Sequence, residues 1–228
     1  SHESGIHSHG VIKCTETSLS NLSTGQIDLM QFHVWNSEWI DSDDWKRAIE
    51  DLKKSGKVRF FGISINDHQP DSAIEAMRTG LIDAVQVIYN VFDQSPERTL
   101  FPVCEELGIG VLARVPLDEG ALTGAITPDV EFDPAEFRAF YFRGDRKREV
   151  FEKVNALKAD LESIGVNEAL ATTALRFTLT PKAVSTVIPG MRKVRNVEAN
   201  LAVSALGPVT GPILEVLRKH AWDKNYYC

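Results

Sequence analysis

Three features that organise many chains are scarce in this one. Its 228 residues include only three cysteines, Cys14, Cys104 and Cys228, at wide spacings and with no CxxC. That excludes a disulfide framework and an ordinary zinc site, and it fits a reducing cytosol. No apolar run approaches the roughly 18 residues of a membrane span. The opening SHESGIHSHG is polar and lacks the apolar segment of a secretory signal. No long basic run is present and the net charge is −7, so neither nucleic acid nor an anionic membrane is expected as a partner. The expected compartment is the cytoplasm. His7-Ser8-His9 resembles a metal-binding fragment, but the sequence sets no acidic or Cys ligand beside it, and it reads as part of a polar tail over residues 1–11.

What is present alternates strand and helix. Apolar spacing predicts a helix over 12–22 and strands over 27–35, 58–64, 84–90, 111–116 and 184–189. Helices are expected between them at 42–56, 71–80 and 98–108, then at 147–164, 167–179, 193–206 and 212–222. Ser42 suits a helix cap, and Asp43, Asp44 and the closing Lys53-Lys54 suit the helix dipole. Cys104 falls on an apolar helix face, as a small core residue. Residues 117–145 break the rhythm, and a segment this long in a compact domain is functional or disordered. Its Phe137, Phe140, Tyr141 and Phe142 either line a substrate pocket or pack the segment down.

Strands apolar on both faces imply a parallel sheet covered by helices, open or closed into a (β/α)8 barrel. No linker or charge block divides residues 12–228, which read as one domain. Polar residues cluster at strand C-terminal ends: His33, Ser64, Gln86, Tyr89, Asn90, Arg114 and Gly190-Met191-Arg192. A barrel draws site residues from many successive strands in this way. Gly108-Ile109-Gly110-Val111-Leu112-Ala113 matches a dinucleotide fingerprint only as a string, because it precedes a strand. Gly108 reads instead as a helix C-cap.

IDLMQFHVW, GKVRFFGIS, QVIYNVFDQ, GIGVLARVPLDEGALTG and VIPGMRKVRNVEANL, in this order, resemble the C-terminal five βα units of the aldo-keto reductases. The terminal KHAWDKNYY is similar to family endings as well. The resemblance implies a TIM barrel, here an incomplete one of five βα units. It also implies hydride transfer from a nicotinamide, usually NADPH, to an aldehyde or ketone. His33 matches the family histidine that orients the substrate carbonyl. The resemblance implies Ser64 and Gln86 as the carboxamide ligands, and GISIND departs from the commoner family pattern at the point where Asn66 follows. Arg114 stands where many members stack an aromatic on the nicotinamide. Pro116, Leu117, Gly120 and Leu122 would line the pyrophosphate. Gly190, Arg192, Asn196 and Asn200 would bind the adenosine end, with Arg192 suited to a 2′-phosphate and so to NADP.

The family's Asp, Tyr and Lys precede its histidine. Residues 1–32 hold no tyrosine, one lysine (Lys13) and one aspartate (Asp28), and neither matches. The tyrosine is the general acid, so reductase activity is expected to be impaired in this chain. Nothing in the sequence places a lysine beside Tyr89 or Tyr141, the two imaginable substitutes. About three βα units of the family pattern are unmatched, and the remaining arc offers two sheet edges for a second copy or another partner to cover. The alternative function is a non-catalytic nucleotide-binding or interaction protein.

Overall fold

A computed structural model describes residues 7–228. Helix α1 (Ser8–Leu22) leads into β1 (Ile27–Phe32), α2 (Asp43–Lys54), β2 (Val58–Ser64), α3 (Ile74–Met77), β3 (Ala84–Ile88), α4 (Leu100–Leu107) and β4 (Gly110–Arg114). Then come α5 (Phe137–Tyr141), α6 (Arg146–Ser163), α7 (Leu170–Thr178), β5 (Val184–Ile188), α8 (Val194–Ala202) and α9 (Gly211–Lys219). The five strands form one sheet in the order β1-β2-β3-β4-β5, the parallel α/β arrangement expected. Among the described residues, no helix is long and apolar enough to cross a membrane.

The chain packs as two compact units where the sequence reads as one domain. The first runs up to Val87 and includes Thr99–Val111; the second comprises Ile88–Arg98 and Leu112–Cys228. The boundary falls inside β3 and β4, not at a linker.

In the first unit, α2 starts where Ser42 Oγ accepts from the Asp44 amide, with Asp43 and Asp44 in its first turn and Lys53 and Lys54 in its last. Trp45, Ala48, Ile49 and Leu52 recur at helical spacing and are buried. Trp35 and Trp45 meet edge to face at 5.2 Å, and Phe32 lies 5.9 Å from Phe61. This cluster explains why β1 stops at Phe32 and not at 35. Trp35 turns into the core, 1% exposed, and a 3-10 turn over Ser37–Asp41 follows, with Asn36 accepting from the Glu38 amide.

The helix expected at 71–80 shortens to a 3-10 turn and the four-residue α3. Gly108, at φ 68°, ends α4 as expected. Cys104 is buried in α4, where burial pushes its thiol up to about 12. The polar tail expected through residue 11 is corrected, because α1 begins at Ser8 with the Val11 amide bonded to the His7 carbonyl. Residues 1–6 lie outside the described residues. A carboxylate does meet the histidine pair, since His7 Nδ1 lies 3.4 Å from Asp44 Oδ2. Among the described residues, no three potential ligands gather for a metal.

The register within this unit is tight at one point. Gly62 pairs with Gln31 on β1 and with Ala84 on β3. A Cβ on Gly62 would lie 2.9 Å from the Ala84 carbonyl oxygen and 3.1 Å from Gln31 Cγ. Gly62→Ala should therefore force the strands to shift and cost about 1–3 kcal/mol, as overpacking does. A lowered urea midpoint is the expected reading; an unchanged midpoint would show that the strands yield freely.

Candidate functional site

In the first unit, β1 ends at Phe32 opposite Ile63, so His33 leaves the end of β1 next to Ser64, the last residue of β2. Ser64 is in turn the register partner of Gln86. Adjacent parallel strands lie about 4.8 Å apart, and residues in one row point to one face. Three sequence-selected residues thus share a level at the strands' C-terminal ends. His33 is exposed, Ser64 buried and Gln86 half-buried. Gln86 Nε2 donates to Gln31 Oε1 at 3.4 Å. The side-chain nitrogen of Asn66 is committed to the Trp35 carbonyl at 2.7 Å.

In the second unit the chain leaves β4 through an unusual turn. Val115, Asp118 and Glu119 have φ of 55°, 49° and 54°, and Gly120 follows at 104°. The first three are side-chain-bearing residues in the left-handed region, each costing about 1–3 kcal/mol. Only glycine takes the fourth conformation without penalty. Local bonds hold the turn: Asp118 N to Val115 O at 3.0 Å, Gly120 N to Leu117 O at 2.9 Å and Leu122 N to Leu117 O at 3.1 Å. The buried Asn90 adds a bond from its Nδ2 to the Val115 carbonyl at 3.0 Å.

This turn forms one wall of a cavity of about 870 Å³, lined by Pro116, Leu117 and Gly120 and, from the link between β5 and α8 and the first turn of α8, by Gly190, Arg192 and Asn196. Lys193 and Arg195 line it too. Six of the sequence-selected residues are therefore brought together. Leu122 is not at the surface of this space; it is fully buried below the turn. Asn200 braces the wall, its Nδ2 donating to the Gly190 carbonyl at 3.2 Å. Arg114 ends β4, just before the turn.

The aromatic residues of 117–145 divide between the two expected roles. Phe137 lines the cavity and is 48% exposed, whereas Tyr141 and Phe142 are each 1% exposed and pack the segment down. Phe140 remains largely exposed.

One expectation is overturned here: a lysine does stand beside Tyr141. Lys224 Nζ donates to the Tyr141 hydroxyl at 2.8 Å and to the two Asp118 carboxylate oxygens at 2.9 and 3.0 Å. Tyr141 in turn donates to Asp118 at 2.9 Å. The lysine ammonium is 4.3 Å from the centroid of the Tyr226 ring and 5.2 Å from that of Trp222. The Lys224 and Asp118 side chains are only 7% and 6% exposed. Removing one partner of so buried a pair costs about 3–5 kcal/mol.

This Asp, Tyr and Lys set is not thereby a proton donor for a substrate. Tyr141 is buried and does not line the cavity. Burial first, and then the Asp118 charge, push its hydroxyl well above the usual phenol range, away from what a general acid needs. Tyr89 is spent as well, stacked on Phe177 and donating to Glu97 at 2.5 Å.

Sequence reasoning missed Lys224, Glu119 and Tyr227. Tyr227 OH donates to Glu119 Oε1 at 3.0 Å, and its ring stacks on Phe137 at 5.8 Å. The signal was an acidic doublet inside a glycine-bearing turn and a lone lysine in the aromatic ending WDKNYY. Neither lies near the other in sequence.

Comparison with known proteins adds four findings. A sequence model described as the Aldo/keto reductase family matches residues 1–211. The uncharacterized oxidoreductase YqkF of Bacillus subtilis is 29% identical over 214 residues, which span 94% of this chain and 66% of that protein. The NADH-specific methylglyoxal reductase of Escherichia coli is 30% identical over 138 residues, covering 59% of this chain and 41% of that protein. Among solved structures, the holo form of aldo-keto reductase AKR11C1 from Bacillus halodurans superposes with a TM-score of 0.76 at 25% identity. It covers 94% of this chain, which spans 65% of that protein. The chain thus spans between 41% and 66% of the length of these relatives.

Burial also holds the Glu119 carboxyl above its ordinary range, more than the Tyr227 hydrogen bond lowers it. The folded state therefore retains this proton at pH values where the unfolded chain, with a Glu near 4.3, has lost it. Stability falls as pH rises through that interval, and the deficit persists at neutral pH. Glu119→Gln should raise the melting temperature at pH 7 and leave it nearly unchanged at pH 4. An equal effect at both values would show that ionisation of Glu119 is not what costs stability.

Proposed function

The chain belongs to the aldo/keto reductase family, and from that premise we propose that its second unit binds NADPH. Its first unit then carries the carbonyl-orienting histidine of a nicotinamide-dependent oxidoreductase. The cationic rim of the cavity is the observation that carries this reading. Arg192, Lys193 and Arg195 crowd the start of α8, whose first turn has no acidic residue. Positive charge is unfavourable at a helix N-terminus unless an anion offsets it. The cavity's own carboxylates are engaged, Glu136 with Arg138 at 2.6 Å and Glu119 with Tyr227. These residues suit the phosphates of a dinucleotide, and Arg192 suits a 2′-phosphate through charge-assisted bonds.

When bound, the nicotinamide supplies hydride to a carbonyl carbon. Pro116, Leu117 and Gly120 are the proposed pyrophosphate wall, with Gly190, Arg192 and Asn196 toward the adenosine. In the first unit, Ser64 and Gln86 suit a carboxamide. His33, exposed at the same level, suits a carbonyl oxygen, which it would orient and polarise as oxyanion-type donors do. Completing the reduction needs a proton donor at the developing alkoxide, and the buried Tyr141 cannot reach one.

Fluorescence titration with NADPH and NADH tests the nucleotide reading. Saturable binding that prefers NADPH is expected. Arg192→Ala should weaken NADPH by about tenfold or more, the worth of one hydrogen bond to a charged group, and spare NADH. The NADH-specific relative frames the opposite result: equal or tighter NADH binding, or no saturation, would overturn it.

Turnover of an aromatic aldehyde tests the catalytic reading. This chain alone should show negligible reductase activity. A segment supplying the family's Asp, Tyr and Lys in trans should restore activity, and His33→Ala should remove it. Turnover by this chain alone, lost on His33→Ala, would contradict the assignment of the acid. Saturable NADPH binding with no turnover under either condition is the outcome of a non-catalytic protein.

A further inference from the structure

We infer that the C-terminal segment 222–228 is a clamp on the turn 115–120, with Lys224 as the positioning residue that keeps this wall of the cavity in place for a nucleotide phosphate. The inference rests on the dinucleotide reading of the cavity. Apart from the Glu119–Tyr227 bond, the contacts that carry it are separate from those that support that reading. The turn carries two consecutive acidic residues: Glu119 lines the space assigned to phosphates, and Asp118 is buried behind it. Each is held by the tail: Asp118 by Lys224 from within the core, Glu119 by Tyr227 OH at 3.0 Å. Without those partners, the Glu119 carboxylate would face a polyanionic ligand and the Asp118 carboxylate would stand unpaired in the core behind it.

The tail is itself fastened along its length. The Trp222 amide donates to the Phe92 carbonyl at 2.8 Å. Arg146 Nη1 donates to the Tyr226 carbonyl at 2.9 Å, and its Nη2 to the Cys228 carbonyl at 3.1 Å. Tyr226 OH bonds Glu149. A segment held from α6 on one side and gripping the turn on the other is built to transmit position. The turn needs such a grip, because left-handed φ values at Val115, Asp118 and Glu119 persist only when their surroundings over-determine them.

Lys224 is the decisive contact, since it is the partner that neutralises Asp118. Lys224→Met leaves a buried carboxylate without its cation, and the inexpensive escape is for Asp118 to leave the core and carry the turn with it. Pairing that change with Asp118→Asn removes the charge that drives the escape. The neutral amide introduced by that second substitution can still accept from Tyr141, so the turn should stay.

Two readouts on the full chain decide this. One is calorimetric affinity for adenosine 2′,5′-bisphosphate. The other is cleavage after Glu119 by a glutamate-specific protease, with far-UV circular dichroism to verify folding. Lys224→Met should weaken the bisphosphate about tenfold or more and open the turn to cleavage, while the double variant regains both to within about threefold. A folded Lys224→Met protein with unchanged affinity and unchanged cleavage would overturn the clamp. A double variant as impaired as the single one would also overturn it, because the loss would then belong to lysine packing and not to the pairing of Asp118. If the unaltered chain binds no bisphosphate, the dinucleotide reading fails, and the cleavage pattern alone still decides whether Lys224 holds the turn.

Discussion

The buried pairing of Asp118 with Lys224 is the constraint on which the geometry of the second unit turns. It joins the residues just after β4 to the last residues of the chain, and both side chains are nearly buried. A pair of that kind adds little net stability but is costly to break on one side. Its contribution is to fix one arrangement of the backbone. Here that arrangement is a turn through left-handed conformations at residues that do not favour them, which makes one wall of the cavity. The aromatic rings of Tyr141, Trp222 and Tyr226 around the ammonium, and the local bonds of the turn, reinforce the same geometry.

The first unit solves a different problem. Strand register alone aligns Ser64 with Gln86, with His33 directly past the end of β1, and the register is enforced by a packed aromatic cluster on one side and by Gly62 on the other. Gly62 lets the long amide side chains of Gln31 and Gln86 meet across β2. The row is thus a consequence of backbone spacing, whereas the cavity of the second unit depends on side-chain contacts between distant segments. That difference in origin separates what a sequence can disclose from what it cannot.

The strand and helix alternation was legible because apolar periodicity is local, and the start of α2 and the end of α4 were legible from Ser42 and Gly108 for the same reason. The cavity residues Pro116, Leu117, Gly120, Gly190, Arg192 and Asn196 were found through family resemblance, and they lie in the turn after β4, in the link from β5 to α8 and in the first turn of α8. The end of β1 was misplaced by three residues because Trp35 turns into the core, a tertiary preference that overrides strand propensity. Leu122 was selected for the pyrophosphate wall and Asn200 for the adenosine end; the first is packed beneath the turn, and the second donates its side-chain amide to the Gly190 carbonyl. Lys224 was invisible because its meaning depends on Asp118, more than a hundred residues earlier. The reading that no lysine accompanies Tyr141 failed on that same long-range contact.

The central claim is that the cavity bounded by the turn after β4 and the start of α8 holds a dinucleotide's phosphates. Hydrogen exchange of the purified chain with and without saturating NADPH tests it most directly. The account predicts slowed exchange at the amides of 117–122 and 190–196, with added protection in 222–228. Protection confined to other segments, or no change at any NADPH concentration, would contradict it.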